Sequence, residues 1–119
     1  MVTVFANNQV IVSDQTTQNV IETDPVPMRG SDRVSGILNI HYAFTALGAF
    51  TLDAYVEGSN DGQNWVPVTA VSPTAVGLEP LVPSDCVHAF VRMKFEFLAS
   101  SSNGPNAICF SFHGILDKS

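Results

Sequence analysis

The sequence is short of charged residues. Lys, Arg, Asp and Glu make up 13% of its 119 residues, about half the roughly 25% of an ordinary globular protein. Five are basic and eleven are acidic, so the net charge is −6. Nucleic-acid binding needs clustered Lys and Arg to neutralise phosphates, and the sequence argues against it. The same deficit argues against docking on an anionic membrane.

Long apolar runs and export signals are also missing. No run approaches the ~20 residues that a membrane-spanning helix requires. The start, MVTVFANNQVIVSD, lacks the basic segment, apolar block and cleavage site of a secretory signal. We therefore expect the protein to be made in the cytoplasm without an export signal of its own.

Catalytic motifs are absent too. No serine sits in a G-x-S-x-G elbow. Asp53 and Glu57 share a predicted strand face about 13 Å apart, too far for the paired carboxylates of glycosidases. The two cysteines match no metal-site spacing and make no disulfide framework. The sequence predicts no cofactor and no enzyme activity.

Metal-ligating residues are present but scattered. Three outward-facing histidines on one sheet face would suit zinc, although solvent-facing or interface histidines fit the sequence better. These are His41, His88 and His113. Acidic residues in the predicted loops lack the D-x-D-x-D-G spacing of a calcium site and are interpreted as solvated. They are Asp14, Glu22, Asp24 and Asp85.

What the sequence does contain is alternation of apolar and polar residues. It is found in segments 33–44, 50–57, 86–98 and 107–116, and a period of two is typical of half-buried strands. The residues predicted to face the core are Val34, Gly36, Leu38, Ile40, Tyr42 and Phe44; Phe50, Leu52, Ala54 and Val56; Val87, Ala89, Val91, Met93, Phe95 and Phe97; and Ile108, Phe110 and Phe112.

These strands predict an all-β protein of about eight strands. Two long, proline-containing connections, 13–32 and 72–85, favour an antiparallel β-sandwich of the Greek-key or jelly-roll type. The length suits a single domain over residues 1–119. Residues 1–12 are interpreted as an edge strand or as an N-terminal arm that reaches a neighbouring subunit.

The last two long strands are predicted to form a hairpin. Placing Leu98 opposite Ala107 gives one wholly apolar face, and a slip of one residue would turn it outward. This register also separates Cys86 from Cys109 by roughly 33 Å, which predicts free thiols. The other pairs it implies are Phe97 with Ile108, Phe95 with Phe110, Met93 with Phe112, Cys109 with Glu96 and His113 with Arg92.

The segment GSNDGQNW, residues 58–65, predicts a tight turn. Asn and Asp stabilise turns with their side chains, and Gly62 suits the left-handed position of a three-residue loop. Val56 then pairs with Val66, and Ala54 pairs with Val68. The only tryptophan, Trp65, falls on the outer face in this register, whereas a loop with an even residue count would place it in the core.

GSNDGQNW and the later strand VHAFVRMKFEF resemble two groups of jelly-roll proteins. One group comprises the small decoration, or cement, proteins of tailed-phage capsids and related virion accessory proteins. The other comprises discoidin-like, galactose-binding-like modules, which have a comparable S-x-D-G-x-x-W hairpin. The short chain, the missing export signal and the absence of linkers favour the virion group.

The resemblance implies a structural virion protein that binds and stabilises a capsid lattice. Its partners would be the major capsid protein and other copies of itself, with a homotrimer suggested, and its location would be the capsid surface. The alternative is a carbohydrate-binding module that uses Trp65 and Tyr55 as stacking surfaces. The residues predicted to form the interface are Val2, Val4, Phe5, Val10, Ile11, Tyr55, Trp65, His88 and Arg92.

Overall fold

The computed structural model describes residues 2–13, 19–45, 50–99 and 106–119. Within these ranges the chain forms nine strands and no helix, so it contains no helix able to span a membrane. The strands are β1 (Val2–Ser13), β2 (Asn19–Glu22), β3 (Val26–Pro27), β4 (Arg33–Phe44), β5 (Phe50–Ser59), β6 (Val66–Val71), β7 (Gly77–Asp85), β8 (Phe90–Ala99) and β9 (Asn106–Asp117).

The strands form two antiparallel sheets. The four-stranded sheet has the order β1-β9-β4-β7, and the second sheet has the order β2-β8-β5-β6. Strand β3 also pairs with β8, directly beyond β2. Because β2 and β3 follow one another along the same neighbour, they act as one interrupted strand. The nine strands therefore occupy eight structural positions.

The pairing of those eight positions is nested. The first strand pairs with the last, β2 and β3 pair with β8, β4 pairs with β7, and β5 pairs with β6. A chain paired in this way is one long hairpin rolled into two facing sheets, which is the jelly roll. The expected all-β sandwich of jelly-roll type with about eight strands is confirmed.

The core lies between the two sheets and is rich in phenylalanine. The Phe95 ring of β8 lies 4.7 Å from the Phe110 ring and 6.2 Å from the Phe112 ring, both on β9. The Phe112 ring also packs over Gly36, where an added Cβ would lie 2.7 Å from it. Each such aromatic side chain contributes about 1.5–3 kcal/mol through burial. The residues of β5, β8 and β9 that were predicted to face the core are all buried.

Four of the residues predicted to face the core lie outside it. Tyr42 and Phe44 are exposed because a bulge after Ile40 shifts the register against β9 and reverses the alternation. Val87 and Ala89 are exposed because they precede β8, which begins at Phe90. The alternation of segment 86–98 thus extends beyond β8 into the connection that precedes it.

The predicted hairpin of the last two strands is wrong. Strand β8 pairs with β2, β3 and β5, whereas β9 pairs with β1 and β4 in the other sheet. Cys109 accordingly lies beside Val10 and Tyr42, and His113 lies beside Val4 and Ile37. An apolar stripe on two successive strands is equally compatible with a crossing between sheets, because both strands then face the same core. The connection 100–105 lies outside the described residues.

Both cysteines are nevertheless free and buried. The hairpin register from which free thiols were predicted does not hold, so that prediction was correct for the wrong reason.

The N-terminal residues belong to the domain's own sheet. Strand β1 is an edge strand that pairs with β9 from Val2 to Ser13, with bulges around Ala6. Ile11 and Ala6 are buried in the core, and Phe5 packs edge-on against Phe112 with 6.0 Å between ring centroids. The core therefore also includes residues of β1, which precedes the alternating segments.

Candidate functional site

The β5–β6 connection is held by one carboxylate. Asp61 accepts hydrogen bonds from the backbone N–H of Gln63 and Asn64 at 2.9 and 2.8 Å, and from the Asn64 amide at 2.6 Å. The Ser59 hydroxyl also donates to it at 2.9 Å. These donors stabilise the ionised form and hold the pKa of Asp61 well below its usual value of 3.8. Its partners lie in the loop and at the end of β5, so Asp61 has a structural role.

The loop is longer than predicted. Gly62 does adopt a left-handed conformation, with φ of 77°. However, Gly58 pairs with Val66, and a bulge between Pro67 and Thr69 then makes Val56 pair with Thr69. The predicted pairs of Val56 with Val66 and of Ala54 with Val68 are therefore wrong. An extra residue in a strand is a local backbone feature that side-chain patterns encode weakly.

Trp65 lies on the outer face against Arg92. The guanidinium carbon of Arg92 is 4.3 Å from the centre of the indole ring, within the range of a cation–π contact. Arg92 also binds Glu57 at 2.9 Å and Glu22 at 2.8 Å. This cluster ties β2, β5 and β8 to the β5–β6 loop.

Tyr55 lies next to a second ion pair on the same surface. The Lys94 ammonium is 5.3 Å from the centre of the Tyr55 ring and 3.4 Å from Glu96. The Tyr55 hydroxyl donates to Asp53 at 3.4 Å. Burial, together with the nearby Asp53 and Glu96 carboxylates, raises the pKa of Tyr55. The Tyr55 ring, like that of Trp65, is thus in contact with a basic side chain of the protein.

The outer surface of the second sheet is therefore highly charged, and we call it the charged face. It combines four carboxylates with two cations. Its charged residues are Glu22, Asp53, Glu57, Arg92, Lys94 and Glu96.

The outer surface of the four-stranded sheet has the opposite character, and we call it the apolar face. Its central row runs Val4, His113, Ile37 and Pro80 across all four strands. Exposed apolar side chains continue in both directions along the strands. They are Val2, Val4, Val10 and Val12 of β1, Ile115 of β9, Ile37, Tyr42 and Phe44 of β4, and Leu78 and Val82 of β7.

Charge on the apolar face is confined to one end. Among the described residues of this sheet, the outward positions carry only three charged side chains, those of Arg33, Asp85 and Asp117. Arg33 binds Asp117 at 3.0 Å, so two of the three neutralise each other. Asp85 of β7 lies opposite Arg33 of β4. The two outer surfaces of the sandwich therefore differ sharply in polarity.

A polar notch of about 380 Å³ interrupts the middle of the apolar face. Ser111 lies at its base, and its hydroxyl oxygen is 2.8 Å from Nε2 of His41. The same oxygen accepts the backbone N–H of Asn8 at 2.9 Å. Asn8 has a positive φ of 49° within the β1 bulge. Bulges in β1 and β4 thus converge on Ser111, and His113 lines the same notch.

The residues predicted to form an interface do not form one surface. Val2, Val4 and Val10 lie on the apolar face, whereas Phe5 and Ile11 of the same strand point into the core. Tyr55, Trp65 and Arg92 lie on the charged face. His88 lies at one end of the sandwich, where its ring occupies the space that a Cβ on Gly58 would need.

Sequence reasoning missed most of the apolar face. Ile37, Leu78, Val82 and Ile115 are apolar residues at outward positions of their strands. The signal was present as apolar residues at the positions between the core-facing ones. It is recognised only when β1, β9, β4 and β7 are known to be neighbours.

The described residues contain no group of three or more His, Cys, Asp and Glu side chains that would hold a metal ion. Glu22 is engaged by Arg92, and Asp14 lies outside the described residues. No protein-family model matches the chain, and no curated protein or solved structure is significantly similar to it.

Proposed function

We propose that the protein is a structural subunit of a viral particle. It would be a decoration, or cement, protein that strengthens a tailed-phage capsid without catalysing a reaction. The contrast between the apolar and charged faces carries this proposal. The resemblance of GSNDGQNW and the β8 segment to capsid decoration proteins supports it, as does the jelly roll, an architecture shared by viral capsid and lectin domains.

The apolar face supports an assembly role because isolated exposed apolar residues are normal but contiguous ones are not. Here they occupy all four strands of a sheet. A free monomer would leave this surface in water. Burial of the surface against another protein would contribute about 25 cal/mol per Å² of apolar area. The protein would therefore act by burial of surface in a larger assembly.

The proposed partners are other copies of the chain and the major capsid protein. The proposed location is the capsid surface, after synthesis in the host cytoplasm. Assembly of this kind needs no cofactor, and the ion pairs of the charged face serve to hold the sandwich together.

The carbohydrate-binding alternative has less support. A stacking platform needs an aromatic face that is free for a sugar. Arg92 lies over the Trp65 ring and Lys94 approaches the Tyr55 ring. A sugar would have to stack on the opposite side of each ring or displace these cations from their carboxylate partners.

Labelling of purified particles tests the proposal. Antibodies raised against the purified chain are applied to virus particles from the organism that encodes it, and quantitative mass spectrometry counts its copies per particle. The proposal predicts surface labelling and many copies per particle. Abundant protein in the lysate with none on the particles would contradict it. Binding on a glycan array that Trp65→Ala abolishes would support the alternative instead.

A further inference from the structure

The apolar face has the area of a complete protein contact. Four strands spaced ~4.8 Å apart and about 40 Å long, the span of a 12-residue strand such as β4, present roughly 700–800 Å². A stable interface of standard size buries about 800 Å² per partner. This one sheet surface is therefore large enough to form a contact with a single partner.

The near absence of charge on the apolar face allows a second copy of the chain to be that partner. The chain carries a net charge of −6, so two copies repel one another unless their acidic surfaces stay apart. The charged face carries twice as many carboxylates as cations. Copies that meet through their apolar faces place the two charged faces on opposite sides of the pair. Two copies that meet through the same surface close in this way with two-fold symmetry.

Two histidines lie at the centre of this contact. His41 and His113 line the polar notch together with Ser111. Histidine is the side chain that ordinarily changes charge between about pH 5 and pH 8. A serine hydroxyl donates or accepts, so the contact between His41 and Ser111 survives in either charge state of the imidazole. Protonation would therefore add charge to the notch without dismantling it.

Few other titratable groups face these histidines. Among the described outward residues, β1 contributes none, β9 contributes Cys109 and Asp117, and β4 contributes Arg33 and Tyr42. Strand β7 contributes Asp85, which lies beside Arg33 at the far end of the sheet. Asp117 is four residues from His113, about 13 Å along β9. No described carboxylate on this face is therefore placed to neutralise a protonated histidine in the notch.

We infer that two copies of the chain pair through their apolar faces, and that protonation of His41 and His113 separates them. While both imidazoles are neutral, the notch carries no charge and its burial is favourable. In acid, each copy would bring two imidazolium groups into a surface that lacks counter-charges, and burial of unpaired charge is costly. The inference deepens the proposed function, since it names the partner that covers the apolar face.

Light scattering with size-exclusion chromatography measures the pairing. The purified chain should have twice the chain mass of 12.8 kDa at about pH 8 and the single-chain mass at about pH 5, with association weakened at least tenfold. Circular dichroism at both pH values must show the same strand content. A monomer at about pH 8 would overturn the pairing, and so would a mass of three chains.

Matched substitutions locate the contact. Ile37 is 48% exposed on the apolar face and Val20 is 49% exposed on the second sheet. Ile37→Lys should weaken association at least about tenfold, whereas Val20→Lys should leave it unchanged. Leu78→Lys, at a more exposed position of the same face, gives the same test should Ile37→Lys fail to fold. Equal association by the apolar-face variant and its Val20 control would overturn the inference.

The double variant His41→Gln with His113→Gln isolates the acid response. Glutamine keeps a polar side chain in the notch and does not titrate. The variant should remain paired at about pH 5, where the wild-type chain separates. Separation of both proteins in acid would overturn the role of the histidines.

Pairing is measured in the absence of any particle, so its failure is distinct from failure of the proposed function. A monomeric chain that labels particles refutes the pairing alone. A paired chain that is absent from particles refutes the proposed function alone.

Discussion

The Phe95 and Phe110 rings lie 4.7 Å apart, tilted by 52°, although β8 and β9 belong to different sheets. Their contact crosses the middle of the sandwich, where both side chains are fully buried. It joins the sheet bearing the charged face to the sheet bearing the apolar face. The contact therefore helps to hold the apolar and charged faces on opposite sides of one domain.

Phe95→Ala should destabilise the protein by about 3–5 kcal/mol, because it removes a buried ring and leaves a cavity that neighbouring rings fill only in part. Urea unfolding monitored by circular dichroism measures the loss. Val87→Ala is the control, since Val87 is 82% exposed in a connection, and it should change stability by less than about 0.5 kcal/mol. A loss below about 1 kcal/mol for Phe95→Ala would contradict the described core.

Strand β1 should be required for folding. Ile11→Ala should cost about 2–5 kcal/mol, because the side chain is buried against the core. Val12→Ala, at the next and exposed position, should cost less than about 1 kcal/mol. Deletion of residues 2–12 should prevent cooperative unfolding, because it uncovers β9 and the phenylalanine core. A truncated chain with the stability of the full chain would show that β1 is a dispensable arm.

Asp61 of the β5–β6 loop should make the stability of the folded chain depend on pH. The pKa of Asp61 is lowered in the folded chain by donors from Ser59, Gln63 and Asn64. The resulting stabilisation is fully present above the ordinary value of 3.8 and is lost as the pH falls through the lowered pKa. Asp61→Asn should therefore melt at a lower temperature than wild type at about pH 6, and the difference should shrink toward about pH 2. A difference that is constant over this range would contradict the loop's hydrogen bonding.

Arg92 should not be replaceable by lysine. The planar guanidinium of Arg92 binds Glu57 and Glu22 at once and stacks on Trp65. The ammonium of a lysine lacks this planar geometry. Arg92→Lys should cost about 1–3 kcal/mol, because hydrogen bonds to partly buried charged groups are lost, and the tryptophan emission should shift. Arg33→Lys is the matched control, since the Arg33–Asp117 pair is more exposed and should contribute less than about 1 kcal/mol. Equal losses for the two variants would contradict the cluster.

The fold class could be predicted from the sequence because period-two alternation reports which side chains face the core. Val91, Met93, Phe95 and Phe97 were placed correctly on this basis. Pairing partners could not be obtained in the same way. Alternation is a property of one strand, and β8 and β9 face the same core from opposite sheets.

The candidate site was harder to predict than the fold. Bulges in β1 and β4 reverse the alternation locally, and so Tyr42 was assigned to the core although it is exposed. The apolar face also draws on strands that are far apart in sequence, from Val4 to Ile115. Only the nested pairing of the jelly roll brings them to one surface.

Footprinting of side chains tests most directly whether the apolar face is covered by protein. A photoactivated carbene labels exposed side chains, and mass spectrometry reports labelling at each residue in isolated chains at high dilution and in assembled particles. The structure predicts that Ile37 and Leu78 lose most of their labelling on assembly, while Val20 and Val87 keep theirs. Undiminished labelling of Ile37 and Leu78 in the assembled state would contradict the proposal that the apolar face is a protein contact.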